Sequence, residues 1–369
     1  MTIIYSRELG ENMTTIETSA RLPRSFDEFT ADWFSKALSR QFPGAIVSGF
    51  SRNSERVGTS ASCRFELTYA NRGEGDDAPN VVYLKGGFTE QQLNRYWMVL
   101  QQEARFYSAL SHDVPTTIPR HYFAAIDEEK QGITMLEDLV SRNVRFGFWG
   151  ELTVDDVAGL LEQFAALHAR WLGDARLPSL AGWEVPQREF LKYLVRDKHW
   201  EELTGRAYGP ELIEAIPEPR LVRAALERLW ALNDAARRTL VHGDAHGGNM
   251  YFAPDGAPGI LDWQLCFAGT PMHDVSWLIV SGLNIEDRPA EEARLLKTYA
   301  AAAAAHGMEM PDFDAIWLSH RQQMVHAFVS GACEPKESGP VEAINAAARV
   351  AIAAANDHDV LDALGVAGI

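Results

Sequence analysis

Near residue 140 the period of the hydrophobic pattern changes, and this change constrains the fold more than any other feature of the sequence. Upstream, the stretches AIVSGFSRNSERV (45–57), CRFELTY (63–69) and NVVYLKGG (80–87) read as β-strands, separated by turn signals at GTSAS and NRGEGDDAPN. Two more strands are expected around RHYFAAI (120–126) and GITMLEDL (132–139). A short helix is expected over Asp27 to Leu38. In 90–110, Leu93, Trp97, Leu100, Ala104 and Tyr107 recur at spacings of four and three, which puts them on one helical face. A five-stranded antiparallel sheet with one helix packed on it accounts for this half.

Downstream, helical periodicity dominates. TVDDVAGLLEQFAALHARWLG (153–173) opens on a capping Thr153 and turns Leu160, Phe164, Leu167 and Trp171 to one side. Further helical patterns cover roughly 187–203, 220–237, 289–306, 312–330 and 340–365. The expected class is α+β. It comprises a small antiparallel-sheet lobe at 25–139 and a large, mainly helical lobe at 140–369, preceded by a loose tail at 1–24.

Composition narrows the partners. A chain of 369 residues and 41.0 kDa has room for two lobes. The net charge of −17 argues against nucleic acid and against an anionic membrane surface as partners. Cys63, Cys266 and Cys333 are odd in number and lie outside any CxxC, so they suggest neither a disulfide framework nor a structural zinc site. A cytoplasmic setting is expected. No run of about 18 apolar residues suggests membrane insertion. Oligomeric state is left open.

The chemistry concentrates in RTLVHGDAHGGNMYFAPDGAPGILDWQ (238–264). The segment, with TLV and GILDW read as short buried strands, carries two histidines, an asparagine and three aspartates. Asp262 is expected at the end of the second strand, where its carboxylate can face Asp244 across a hairpin. Phosphoryl transfer to a hydroxyl needs a carboxylate on the attacking oxygen, oxygen ligands for magnesium and a cation on the nucleotide phosphates. The segment supplies the first two, and the spacing from Asp244 to Asn249 is that of a kinase catalytic loop. Each residue alone has a plainer reading. Asp beside Gly is commonly a turn residue, Lys85 could serve solubility on an edge strand, and His168 could be a hydrogen-bonded core histidine. Trp149, Trp171 and Trp183 suit packing as well as an acceptor pocket. The combination of Asp244, Asn249 and Asp262 with a strand lysine and a helix glutamate upstream favours function.

HGDAHGGN followed by ILDWQ and GTPMHD resembles the aminoglycoside phosphotransferase and choline kinase superfamily of small-molecule kinases, which has the protein-kinase-like two-lobed fold. Within it, LEDL (136–139), ILDWQ and LHARWLG (167–173) are most similar to the ecdysteroid-kinase-like branch and its bacterial relatives. The resemblance runs from about residue 45 to 335 and implies an ATP- and Mg2+-dependent phosphotransferase acting on a hydroxyl of a small organic molecule. It makes Asp244 the catalytic base, Asn249 and Asp262 the magnesium ligands, His242 a residue that shapes the loop, and Asp274 its brace. It matches Lys85 to the strand lysine on the nucleotide phosphates and Glu103 to the helix glutamate that pairs with it. It also assigns the backbone of Glu137 and Leu139 to the adenine.

A lone lysine in an apolar strand is costly without a charged partner, which agrees with the pairing to Glu103. The loop over the phosphates departs from the glycine-rich pattern: RVGTSAS offers Gly58 alone, with the hydroxyls of Thr59, Ser60 and Ser62 beside it. His246 either reaches the acceptor or phosphates or holds the loop backbone. Zinc on His242 and His246 is disfavoured because Gly243, Gly247 and Gly248 oppose a helix there. Two competing readings are weaker. GDAHG also resembles a metallophosphoesterase motif, but the further Gly-Asp and Gly-Asn-His motifs are missing. A pseudokinase-type nucleotide-binding module is opposed by the presence of every polar part needed for transfer.

Overall fold

The computed structural model describes residues 21–73, 75, 77–336 and 339–368; of the expected tail, residues 1–20 lie outside these. The chain divides into two compact units. Among the described residues, one comprises those from 21 to 114 with 120–137 and 178–180, and the other 115–119, 138–177 and those from 181 to 368.

The first unit is built on β1 (Ala45–Val57), β2 (Ala61–Arg72), β3 (Val81–Gly86), β4 (His121–Ile126) and β5 (Gly132–Glu137). They form one antiparallel sheet in the order β1-β2-β3-β5-β4. Alternate residues of β2, Cys63, Phe65 and Leu67, are buried, as a half-covered strand requires. Helix α1 (Ala31–Leu38) starts on Thr30, whose hydroxyl accepts from the Trp33 N–H, and its Phe34 packs 5.1 Å from both Phe50 and Phe65. Each such ring contributes about 1.5–3 kcal/mol by leaving water. The helix expected from Asp27 is a 3-10 turn at Phe26–Glu28 and then α1, because Phe29 between them is extended. Leu22 is buried with its N–H on Asp127, and Arg24 pairs with the same carboxylate at 3.2 Å.

The single helix expected at 90–110 is α2 (Glu90–Arg95) and α3 (Trp97–Arg105), with a π-helical turn at Phe106–Leu110. Tyr96 breaks it at φ −115° and ψ 10°. A capping box ties α2 to Thr89, while Gln92 also donates to the Gly58 carbonyl at 2.9 Å. Helix α3 packs on β4 and β5.

The second unit contains β6 (Arg145–Phe146), α4 (Val154–Trp171), α5 (Val185–Leu194), α6 (Asp197–Thr204), α7 (Gly209–Ala215) and α8 (Pro219–Ala235). After the polar segment come α9 (Pro271–Gly282), α10 (Arg288–Ala305), α11 (Phe313–Ala332), α12 (Val341–Asp357) and α13 (Val360–Ala363). Thr153 caps α4 through a capping box with Asp156. The patterns at 187–203 and 340–365 are each two helices. Arg196 turns extended, and Asp359 turns left-handed at φ 45°. The core gathers Trp277 of α9, Phe328 of α11 and Ala348 and Ala351 of α12. No described helix is long and apolar enough to cross a membrane.

Four short strands interrupt the helices: β7 (Thr239–Val241), β8 (Met250–Phe252), β9 (Pro258–Ile260) and β10 (Phe267–Gly269). TLV does not pair with the following strand as expected. β7 pairs with β10, while β8 and β9 form their own hairpin, to which β6 adds. The hairpin closes through Ala253 and Ala257, with Gly256 at φ +87°, so its open end lies at Asn249 and Leu261.

Candidate active site

The loop between β7 and β8 is held from below by one carboxylate. Asp274, in the first turn of α9, is fully buried and accepts from the N–H groups of His242 at 2.6 Å and Gly243 at 2.9 Å. Its Oδ2 also lies 3.2 Å from His168 Nε2, and His168 Nδ1 is 2.9 Å from the Tyr299 hydroxyl. Burial opposes the Asp274 charge, but the His168 hydrogen bond and the neighbouring histidines outweigh it and hold the carboxyl below its ordinary value.

The other side of the same peptide is held as firmly. The Gly243 carbonyl accepts from the Gln187 amide of α5 and lies 3.1 Å from His273 Nε2. Gly243 itself sits at φ +83°, and a Cβ there would fall 2.0 Å from the Leu265 carbonyl oxygen. Gly243→Ala is therefore expected to displace the loop, lowering thermal stability by roughly 1–3 kcal/mol and turnover at least tenfold. Melting and steady-state rates check this; a variant that melts and turns over as wild type would refute it.

His242 spans the loop. Its Nε2 meets the Leu261 carbonyl at 2.9 Å and its Nδ1 accepts from the Asp244 N–H at 3.2 Å, so it clamps the loop to the strand exit beyond β9. His246 caps the 3-10 turn Gly247–Asn249, with Nδ1 accepting from Gly248 N–H. Its ring stacks on Trp149 at 4.4 Å and 16°, and its Nε2 is 3.6 Å from Asp244 Oδ2. Desolvation outweighs the nearby carboxylates and pushes its pKa down, so the ring is neutral at neutral pH.

Asp244 and Asn249 meet. The Asn249 amide nitrogen donates to the Asp244 carbonyl at 2.9 Å and lies 3.3 Å from its Oδ2. Asn249 is buried, while Asp244 keeps 23% of its side chain exposed. The Leu261 N–H donates to the Asn249 carbonyl at 3.0 Å, so Asp262 follows directly at the open end of the hairpin. Asp262 adopts φ 64°, a left-handed conformation that aspartate takes up more readily than most non-glycine residues. Asp262 thus lies at the exit of the β8–β9 pair, and its charge, like that of Asp244, acts on His246.

The first unit holds the remaining candidates except Leu139, which falls in the second. Lys85 Nζ of β3 lies 3.1 and 3.0 Å from the two carboxylate oxygens of Glu103 in α3, both side chains nearly buried. Gly58, Thr59 and Ser60 form the exposed β1–β2 turn, closed by the Gly58 N–H on the Ser60 carbonyl at 2.9 Å. Gly58 has no positive φ, and a Cβ would meet nothing closer than 3.8 Å, so no backbone strain requires glycine there. The Ser62 hydroxyl is occupied by Tyr83 at 2.6 Å. Glu137 ends β5 with its N–H on the Arg120 carbonyl and its carboxylate on the Arg120 N–H. Leu139 is buried just beyond, where Asp138 accepts from the Ser141 N–H at 2.9 Å.

Several residues of the loop's setting carry no signal in the sequence. Gln187, His273 and Ser281, whose hydroxyl accepts from the Gly247 N–H at 3.1 Å, come from helices with ordinary patterns. His168 fits its reading as a hydrogen-bonded core histidine, but its partner is the brace itself. Trp149 packs on the loop because Gly147 lets the 145–152 segment approach, a Cβ there falling 2.2 Å from the Gly247 carbonyl oxygen.

The loop is braced by a buried aspartate and presents an Asp–Asn pair, with a second aspartate at the adjoining hairpin exit. The sequence of residues 96–312 matches the phosphotransferase enzyme family, and the chain belongs to that family. No curated protein matches the chain. Among solved structures, the choline kinase LicA from Streptococcus pneumoniae is similar at 14% identity, covering 88% of this chain and 98% of its own, with a TM-score of 0.48. A spectinomycin phosphotransferase in complex with ADP and spectinomycin is similar at 14% identity over 90% and 99%, with a TM-score of 0.49. A microcompartment-associated aminopropanol kinase follows at 16% over 90% and 98%, with 0.46. All three are remote, and the family assignment rests on the sequence match.

Proposed function

We propose that this protein transfers the γ-phosphate of ATP, with magnesium, to a hydroxyl of a small organic molecule. The observation that carries the reading is the Asp244–Asn249 pair, 3.3 Å apart on a loop pinned by Asp274. In this reading the partly exposed Asp244 accepts a hydrogen bond from the acceptor hydroxyl, aims its oxygen at the phosphorus and takes its proton. The Asn249 amide nitrogen is committed to Asp244, which leaves its carbonyl oxygen, with the Asp262 carboxylate, as a hard-oxygen donor set suited to magnesium. Magnesium, when bound there, supplies charge neutralisation on the nucleotide phosphates. Within the first unit, Lys85, paired with Glu103, is the cation this reading assigns to nucleotide phosphate. Neutral His246 contributes position rather than charge, through its stack on Trp149.

The negative balance of the chain favours a neutral or cationic acceptor over a polyanion. Nucleotide binding and turnover, measured with and without magnesium against alcohols, amino alcohols, sterols and hydroxyacyl thioesters, test the reading. Magnesium-dependent ADP release with one acceptor class supports it, and failure to bind ATP refutes it. In the same assay Asp262→Ala is expected to raise the magnesium concentration for half-maximal turnover at least tenfold, by removing one of two protein ligands. An unchanged magnesium dependence would take Asp262 out of that role.

A further inference from the structure

Helices α10, α11 and α12 converge on a second polar cluster that the phosphotransfer reading does not use. Glu292 of α10, His320 of α11 and His358 at the end of α12 are all buried. One ligand atom from each lies within 4.8 Å of the others. His358 Nε2 is 2.9 Å from Glu292 Oε2, and His320 Nε2 is 3.6 Å from Glu292 Oε1. Ligand atoms around a tetrahedral zinc ion, bonded at about 2.0–2.1 Å, stand roughly 3.3 Å apart, a separation these two distances bracket.

We propose that Glu292, His320 and His358 bind a divalent d-block ion, zinc foremost, that joins α10, α11 and the end of α12. His320 carries the argument. Its Nδ1 is 3.0 Å from the Ser276 hydroxyl, while its Nε2 is buried without a hydrogen-bond partner and faces the cluster. An unpartnered buried nitrogen costs on the order of 1–3 kcal/mol, and a metal ion would satisfy it. The Ser276 contact is the outer-shell support that fixes a ligating imidazole in the required tautomer. The charges agree. Arg288 Nη1 takes Glu292 Oε1 at 2.5 Å and Nη2 takes Asp357 Oδ2 at 2.5 Å, so one guanidinium serves two carboxylates and the cluster keeps an excess of negative charge. Two imidazoles and a carboxylate suit zinc rather than magnesium, which separates this site from the Asn249 and Asp262 oxygens. Asp357, on the same guanidinium, keeps 44% of its side chain exposed.

The test uses the full chain without a histidine tag, stripped by chelator and titrated with Co2+ as a spectroscopic substitute. Expected are one ion per chain with the visible bands of a tetrahedral nitrogen and oxygen site, its displacement by Zn2+, and a higher melting temperature with Zn2+. His320→Ala and His358→Ala should weaken the ion by ~100-fold or more, and Ser276→Ala by about tenfold or more. A wild-type chain that takes up no Co2+ or Zn2+ overturns the proposal. So does undiminished binding in the histidine variants or, should those fail to fold, in Ser276→Ala. Because the readout is metal content and colour, it stands or falls independently of turnover.

Discussion

Asp244→Asn is expected to lower turnover by about 10²–10⁴-fold while nucleotide affinity stays within a few-fold of wild type. The substitution keeps the shape of the side chain and an oxygen to accept from Asn249, which now donates to both the backbone and the carboxylate of Asp244. The loop should not move. Its backbone is fixed by Asp274, by His242 and by the contacts to the Gly243 carbonyl, none of which involves the Asp244 carboxylate. What disappears is the capacity to take the acceptor's proton and the negative charge beside it. Because the substitution isolates chemistry from architecture, rate and affinity should separate. Steady-state rates and nucleotide titration on the same preparation check this, and a wild-type rate in the variant would remove Asp244 as base.

Asp274→Ala should damage both stability and rate. The side chain lies at zero exposure and satisfies two consecutive backbone N–H groups and His168 at once. Removing it orphans two buried donors, each worth on the order of 1–3 kcal/mol, in a place too tightly packed for them to turn to solvent. A loss of roughly 3 kcal/mol or more and a fall in turnover of at least a hundredfold are expected, since a loop displaced by an ångström loses its alignment. The sign with pH follows from the lowered carboxyl pKa. The stability Asp274 lends is present in full above the unfolded value of 3.8 and is lost as pH falls through its lower folded value. Wild type should therefore lose more stability than Asp274→Ala as the pH is taken down through this range. Melting curves of the two proteins at several pH values measure it, and parallel losses would show that the brace carries no such charge.

Much of the first unit is legible because strands and turns announce themselves locally. The three strands at 45–57, 63–69 and 80–87 and the two around 120–139 pair as one antiparallel sheet, since period-2 burial and the turns between them leave few other pairings. The helix at 90–110 shows the limit of periodicity. Its apolar spacing continues through Tyr96, where the backbone leaves the helical region at φ −115° and ψ 10°.

The polar segment divides in the same way. Its residue types and spacing point to phosphoryl transfer, and the structure brings Asp244 to Asn249 and Lys85 to Glu103. The partner of TLV is not legible in the sequence, because strands of three residues carry too little pattern to choose one. β10, close enough after a turn, wins over β9, which is already engaged with β8.

By itself, then, the sequence determined the period of each element, the change of architecture near residue 140 and the chemical types gathered around Asp244, all of them short-range properties of the chain. Tertiary structure decided who serves them. Asp274 is joined to His168 across 106 residues, Gln187 reaches the Gly243 carbonyl from α5, and Glu292, His320 and His358 are assembled from three helices. Such groups leave no local pattern, because a buried polar side chain is made tolerable by partners that only the packing of distant helices supplies.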